Sequence, residues 1–184
     1  LGGRSGCDAT RCRRAALVGG GWSVREGEDG VRVVGRKGPQ SVSVERISLG
    51  EGGSTLRFLV PVLAAAENRL ELVLAPGLRA RPHETLGEVL QAMGAQLEAT
   101  EHGFRLVSRG GIAQGPLSVP VDLSSQFFSG FLMASGAQAQ DWRLEQEPVS
   151  MGYLQMTVDM LRRFRGEDSL KTTPNLWQQQ AGFG

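Results

Sequence analysis

The chain has 184 residues, 40% of them hydrophobic and 21% charged, which are ordinary proportions for a globular protein with one sizeable core. Its net charge of +1 argues against a protein that coats nucleic acid, so any binding of anions must come from a local group of side chains. The sequence contains no run of about 18 apolar residues, so we expect no transmembrane helix. We also expect a cytoplasmic location and neither membrane nor nucleic-acid partners.

The N-terminal stretch holds the two cysteines, Cys7 and Cys12, in or near one predicted helix. No third or fourth ligand lies near them in the sequence, so we expect free thiols rather than a disulfide or a zinc site. The stretch also lacks the apolar segment of a signal peptide. Because it begins with Leu1 and not with Met, we expect the chain to be a piece of a longer protein.

A helix–strand–turn–strand pattern occurs twice, at residues 8–34 and 81–107. In each copy a helix ends at glycine, an alternating strand follows, and a turn containing glycine leads into a second strand. Gly30 and Gly103 occupy the same place in the two turns. The helix and strands are predicted at 10–18, 22–25 and 31–34 in the first copy, and at 82–93, 96–100 and 104–107 in the second.

A second pattern, also present twice, joins a polar turn to an apolar helix and a strand. The turns lie at residues 50–57 and 121–126. The elements that follow are predicted at 54–66 and 69–74 after the first turn, and at 124–135, 142–147 and 152–164 after the second. Both apolar stripes of the last helix, including Met156, Met160 and Phe164, are interpreted as core positions.

Together the two patterns predict an α/β fold of tandem βαβαββ units. We expect one partial unit, one complete unit and one unfinished unit, which form a single incomplete domain over residues 1–165. Residues 166–184 are rich in Gln, Gly and Thr and show no periodicity, so an irregular tail is expected there.

The turn at residues 50–57 supplies the first candidates for anion binding. It ends at a helix N-terminus, where free backbone N–H groups and the helix dipole favour negative charge. Gly53 would let a ligand approach the backbone, and Arg57 lies one helical turn further along. Arg81 precedes Pro82, the expected first residue of the next helix, and could hold a carboxylate or phosphate with two hydrogen bonds. A capped helix with surface arginines is the alternative interpretation.

The second polar turn brings hydroxyl groups and an amide to another helix N-terminus, at Ser124, Ser125 and Gln126. These groups could hold a phosphate or a polyol, and simple capping of the helix by serine is the alternative. Ser150 and Tyr153 begin the following helix, where Ser150 could instead cap the helix and Tyr153 could lie in the core. Two such turns at equivalent places predict a ligand with more than one anionic group.

The histidines do not indicate a catalytic centre. His83 and His102 are expected at the surface, and neither is expected to act as a general base. The sequence shows no Ser–His–Asp or Cys–His arrangement and no pair of carboxylates placed for glycosidase chemistry.

Taken in order, five short motifs resemble those of the EPSP synthase (3-phosphoshikimate 1-carboxyvinyltransferase) family, and the resemblance runs over about residues 8–165. The motifs are Asp-Ala-Thr-Arg at 8–11, the turn at 50–57, Arg81-Pro82, the segment 121–127, and Val-Ser-Met-Gly-Tyr at 149–153. The resemblance implies the enolpyruvyl transferase fold, an inverse α/β barrel-like pair of domains with three βαβαββ units each. It also implies transfer of the enolpyruvyl group of phosphoenolpyruvate to the 5-hydroxyl of shikimate 3-phosphate, with release of phosphate and without a metal or organic cofactor.

The resemblance assigns two groups of binding residues to this chain. The residues implied to bind shikimate 3-phosphate are Ser124, Ser125, Gln126 and Ser150, with Tyr153 beside them. The residues implied to face phosphoenolpyruvate are Gly53, Arg57, Arg81 and Gln126. The family's general base and further phosphoenolpyruvate-binding residues belong to a second domain, so no catalytic residue is expected here and the chain alone is expected to be inactive.

The chain departs from the family pattern at three places. Glu51 replaces an Asn, and its carboxylate would repel phosphoenolpyruvate unless it turns away or is protonated. Ser54 replaces a Thr, and Met151-Gly152 replaces a Lys-Pro, which removes one positive charge. These departures leave open a non-catalytic remnant or anion-binding module of the same fold. A sister enolpyruvyl transferase that acts on UDP-N-acetylglucosamine is a further alternative, although it uses a reactive Cys and none follows Cys12 here.

Overall fold

A computed structural model of the chain describes most of its length. The described residues are 18, 22–27, 30–35, 41–113, 115–120, 124–145 and 150–181. Several predicted features lie outside them and stay predictions. These are the helix at 10–17, both cysteines, and the motif residues 8–11, 121–123 and 149.

The described elements form a hairpin followed by two longer groups. The hairpin consists of β1 (Ser23–Gly27) and β2 (Gly30–Val34). The first long group consists of β3 (Arg46–Gly50), α1 (Gly53–Ala64), β4 (Glu67–Leu74), α2 (Pro76–Arg79), α3 (Glu84–Ala92), β5 (Ala95–Thr100) and β6 (Gly103–Arg109). The second consists of β7 (Leu117–Val119), α4 (Ser125–Ala134), β8 (Gln140–Leu144), α5 (Met151–Arg165), β9 (Leu170–Thr172) and β10 (Leu176–Gln179).

The two long groups share one topology. Their sheets have the strand orders β3-β4-β6-β5 and β7-β8-β10-β9. In each sheet the first two strands are parallel and the remaining neighbours are antiparallel. This is the order of a βαβαββ unit, so the predicted α/β fold with tandem units is confirmed. The first hairpin repeats the closing strands, because Gly30 and Gly103 begin β2 and β6 with φ angles of 153° and 151°.

The C-terminal segment is ordered, contrary to the expected irregular tail. Strands β9 and β10 pair with each other and β10 pairs with β8, so the third unit is closed and not unfinished. The side chains that anchor this segment are few: Leu170 is fully buried and Trp177 nearly so. Gln179 is also buried, because its Nε2 donates a hydrogen bond of 2.9 Å to the Leu132 carbonyl and its Oε1 accepts one from Ser135. Composition gives no sign that a glutamine will be satisfied in this way.

Helix α5 buries one of its two apolar stripes and exposes the other. Leu154 and Val158 are buried, as predicted. Met156, Met160 and Phe164 are 64%, 51% and 77% exposed, so their interpretation as core residues is wrong. Periodicity identifies an apolar face but not whether another element covers it. Within the described ranges, no helix is long and apolar enough to cross a membrane.

The segment before α3 also differs from its prediction. The helix begins at Glu84, not at Pro82, and the short helix α2 lies between β4 and this start. His83, expected at the surface, is buried: its Nε2 lies 2.8 Å from the Leu78 carbonyl oxygen and its ring packs edge-on against Phe104. His102 is exposed, as predicted.

Helices α1 and α4 pack tightly against each other, and this contact fixes the relation between the two long groups. A β-carbon at Gly130 would overlap the Arg57 carbonyl oxygen and lie 3.1 Å from Pro61 Cγ. On its other side α4 buries aromatic side chains, since Phe128 packs at 5.9 Å from Trp142 and 5.1 Å from Trp177 between ring centroids. The backbones of α1 and α4 can therefore approach closely only because residue 130 has no side chain.

The α1–α4 contact predicts opposite effects of two Gly→Ala changes. Gly130→Ala should lower the free energy of unfolding by about 1–3 kcal/mol, because the added methyl group overpacks the helix contact. Gly87→Ala is the matched control: it lies in α3 with nothing within 4 Å of the added carbon, and should raise stability by about 0.5–1 kcal/mol. Urea unfolding measures both values. A Gly130→Ala variant with the same free energy of unfolding as the wild type would contradict the packing described.

Candidate anion-binding site

The N-terminus of α1 has backbone donors without acceptors inside the helix, at residues that include the buried Gly53 and Thr55. The turn before it is closed by hydrogen bonds from Gly52 N–H to the Leu49 carbonyl at 3.1 Å and from Gly53 N–H to the Glu51 carbonyl at 2.9 Å. Gly52 is the N-cap and contributes no capping side chain. The N–H groups of the following residues therefore have no acceptor within the helix and can meet a ligand.

Arg57 connects this end of α1 to the N-terminus of α4. Its Nη1 donates a hydrogen bond of 2.8 Å to Gln126 Oε1, across 69 positions of sequence. Its guanidinium also lies 5.2 Å from the centre of the Phe127 ring, a cation–π contact. The two residues implied to face one ligand are thus in direct contact, while Arg57 Nε is buried without a partner among the described residues.

Arg81 lies on the other side of the α1 N-terminus. A β-carbon at Gly53 would be 3.2 Å from Arg81 Nη1, so the guanidinium covers the glycine directly. Burial lowers the pKa of Arg57 from its ordinary value, and the positive charge of Arg81 lowers that pKa further. In the described part of the chain no carboxylate forms an ion pair with either guanidinium. Two neighbouring cations without a counter-charge favour a bound anion.

Glu51 is already engaged. Its Oε1 accepts a hydrogen bond of 3.1 Å from the Gly77 N–H, at the start of α2. A β-carbon at Gly77 would lie 2.9 Å from Glu51 Oε2, so the carboxylate sits closely against the backbone there. The carboxylate expected to repel an anionic ligand is therefore held toward the backbone of α2.

The second group of candidates lines a groove of about 890 Å³ between α4 and α5. Ser124 Oγ accepts a hydrogen bond of 3.4 Å from Gln126 N–H, which is the predicted capping arrangement. Ser150 makes no capping bond, and Tyr153 is 72% exposed, so it does not lie in the core. The groove residues predicted from sequence are Ser124, Ser125, Gln126, Ser150 and Tyr153.

Several groove features were not found from the sequence. Thr157 on α5 donates a hydrogen bond of 2.8 Å to Ser129 on α4, which joins the two walls. The far end of the groove is apolar and includes Met156, Met160 and Phe164. A polar residue opposite the serines could have been sought at helical spacing from Tyr153, but nothing in the sequence specifies the partner helix. Among the described residues no His, Cys, Asp and Glu side chains converge in a group that could hold a metal.

The arrangement places the two groups of candidate binding residues side by side. The Arg57–Gln126 hydrogen bond lies where they meet, with guanidinium groups and backbone donors on the α1 side and hydroxyl groups on the α4 side. Such a site can hold two anionic molecules, or one with two anionic groups, close together.

Comparison with known proteins gives a consistent result. A family model described as EPSP synthase (3-phosphoshikimate 1-carboxyvinyltransferase) matches residues 19–179. A protein from Methanothermobacter thermautotrophicus named 3-phosphoshikimate 1-carboxyvinyltransferase is 35% identical over 147 residues, which are 78% of this chain and 35% of that protein. A protein of the same name from Clostridium perfringens is 32% identical over 120 residues, or 64% of this chain and 28% of that protein. The chain therefore spans about a third of the length of these relatives.

Solved structures of similar fold include EPSP synthases from Acinetobacter baumannii. Two of them match with a TM-score of 0.72 at 21% and 22% identity, and cover 95% of this chain. The match extends over 39% and 40% of those chains. At this level of identity the likeness establishes the fold.

The paired guanidinium groups predict a specific response to inorganic phosphate. Phosphate at ten times its dissociation constant should raise the free energy of unfolding by about 1.4 kcal/mol, since it binds the folded chain. In Arg81→Gln this gain should fall, and the variant should be slightly more stable than wild type at low salt because one of two like charges is gone. Arg109→Gln, at an exposed position of β6, is the control and should behave as wild type.

Thermal and urea unfolding in phosphate and in chloride of equal ionic strength provide the measurement. An undiminished phosphate gain in Arg81→Gln would rule out an anion site between the two arginines.

Proposed function

The chain belongs to the EPSP synthase family, and from that premise we propose that it forms one wall of a cleft in which phosphoenolpyruvate transfers its enolpyruvyl group to shikimate 3-phosphate. The names of the relatives from two organisms support this reaction. In this proposal the product is the enolpyruvyl ether at the 5-hydroxyl, and phosphate is released.

The observation that carries the proposal is the Arg57–Gln126 hydrogen bond at the junction of the two binding regions. Both substrates are anions, and their reacting atoms must come together despite their mutual repulsion. A guanidinium shared between two adjacent sites offsets that repulsion and fixes the distance between the substrates. Because Gln126 lies at this junction, its side chain can contact both substrates.

On the α1 side we assign phosphoenolpyruvate to Gly53, Arg57, Arg81 and Gln126. The exposed Arg81 and the N-terminus of α1 can hold its phosphate or carboxylate, because both offer donors and no carboxylate of the described chain forms an ion pair with Arg81. The cation–π contact with Phe127 keeps Arg57 in place before the ligand arrives.

On the α4 side we assign shikimate 3-phosphate to Ser124, Ser125, Gln126 and Ser150, with Tyr153 beside it. Hydroxyl groups suit a molecule that carries both a phosphate and ring hydroxyls, since each can donate or accept. The four residues and Tyr153 line one groove, which supports a single bound molecule.

The general base belongs, in this proposal, to a part of the protein outside this chain. Residues 1–184 would bind the substrates without converting them, as a portion of the domain that supplies the binding residues. A cytoplasmic location without membrane or nucleic-acid partners remains a prediction. The shikimate reaction is favoured over the UDP-N-acetylglucosamine reaction by the names of the relatives.

Isothermal titration of the 184-residue chain with shikimate 3-phosphate tests the assignment. Ser125→Ala should weaken binding about tenfold, because a hydrogen bond to a charged phosphate is lost. Ser118→Ala, an exposed serine on β7 away from the groove residues, is the matched control and should bind as wild type.

Two outcomes would contradict the proposal: no binding heat with the wild-type chain, or unchanged affinity in Ser125→Ala. A phosphate-release assay with both substrates adds a separate check, since the chain alone should give no turnover.

A further inference from the structure

The loop that carries Arg81 is held in place by side chains that no binding role explains. Arg81 follows the short helix α2, and the segment 75–83, which includes α2 and is called here the Arg81 loop, joins strand β4 to helix α3. Arg81 itself is exposed, and a free arginine side chain loses considerable rotamer entropy when it binds. Its usefulness as an anion ligand therefore depends on how precisely its backbone is fixed.

The first attachment comes from the turn before α1. Glu51 Oε1 accepts the Gly77 N–H at 3.1 Å, which ties the start of α2 to the residue two positions before Gly53. The carboxylate also fills the space beside Gly77. The Glu51 side chain thus links the N-terminus of α1, where the anion would bind, to the loop that carries Arg81.

The second attachment comes from the far side of the same loop. His83 Nε2 lies 2.8 Å from the Leu78 carbonyl oxygen, and that carbonyl also accepts the Arg81 N–H at 3.2 Å. Leu78 is fully buried and anchors α2 in the core. The His83 ring, packed edge-on against Phe104 at 5.2 Å between centroids, is buried as well. Arg81 is therefore held between a buried leucine and a buried histidine.

From these contacts we propose that Glu51 and His83 are positioning residues that hold Arg81 against Gly53 at the N-terminus of α1. The proposal rests on the proposed function for its consequence in substrate binding. It reverses the expectation for Glu51: the carboxylate contributes to the site by placing a cation, and its removal weakens anion binding instead of relieving a repulsion.

Four variants of the chain separate these possibilities. Glu51→Ala removes the acceptor and the charge, whereas Glu51→Gln removes the charge and keeps an acceptor. His83→Phe keeps an aromatic ring against Phe104 but cannot donate to Leu78. Glu88→Ala, at an exposed position of α3, is the control for loss of a carboxylate.

The first readout needs no ligand. In the NMR spectrum of the wild-type chain a nuclear Overhauser contact should join the Arg81 side chain to the Gly53 Hα, because Nη1 lies 3.2 Å from the place of a β-carbon there. We expect this contact to persist in Glu51→Gln and Glu88→Ala and to be lost in Glu51→Ala and His83→Phe. Its persistence in Glu51→Ala would overturn the proposal, and that variant decides if His83→Phe does not fold.

The second readout is the affinity for phosphoenolpyruvate, measured by titration. Glu51→Ala and His83→Phe should bind about threefold to tenfold more weakly, with unchanged affinity for shikimate 3-phosphate, and Glu51→Gln should bind at least as tightly as wild type. In an Arg81→Gln background Glu51→Ala should cause no further loss, because it acts through Arg81.

Tighter binding in Glu51→Ala, or additive losses with Arg81→Gln, would overturn the positioning role. If the wild-type chain binds no phosphoenolpyruvate while the Arg81–Gly53 contact depends on Glu51 as expected, the positioning role stands and the proposed function fails.

Discussion

The close approach of α1 and α4 is the contact on which the site depends. Because Gly130 has no side chain, the α4 backbone lies against the α1 backbone at Arg57, and two helices from different βαβαββ units run side by side. Their N-termini then lie close enough for Arg57 to reach Gln126 at 2.8 Å. The aromatic residues of α4 pack on the opposite side against Trp142 and Trp177, which holds the helix in this position. Packing density thus sets the geometry of the polar groups.

The charges of Arg57 and Arg81 favour the binding of an anion. Arg57 and Arg81 raise each other's energy when no anion is present, and the partial burial of Arg57 adds a desolvation cost to its charge. In the described chain no carboxylate relieves either guanidinium, and the nearest acidic residue of the turn, Glu51, is committed to the backbone of α2. A bound anion would offset this repulsion and the desolvation cost, so both effects favour anion binding.

Some residues of the site could be identified from the sequence because their local context is sufficient. A glycine turn or a serine turn before an apolar run indicates a helix N-terminus, and the boundaries of α1 and α4 follow within one or two residues. The repeat likewise gave the strands around Gly30 and Gly103. Other features depend on partners distant in sequence. His83 is buried because Leu78 and Phe104 surround it, and Phe164 is exposed because no described element covers that face of α5.

The sequence by itself determined the class of fold, the repeat and the candidate residues for anion binding, since these follow from periodicity, turn chemistry and short motifs. Tertiary structure decided which of those residues touch. It joined Arg57 to Gln126 and Arg81 to Gly53, turned Glu51 toward Gly77, and ordered the C-terminal strands against β8. The physical reason is that local propensities act over a few residues, whereas these contacts arise where helices and strands separated by tens of residues pack together.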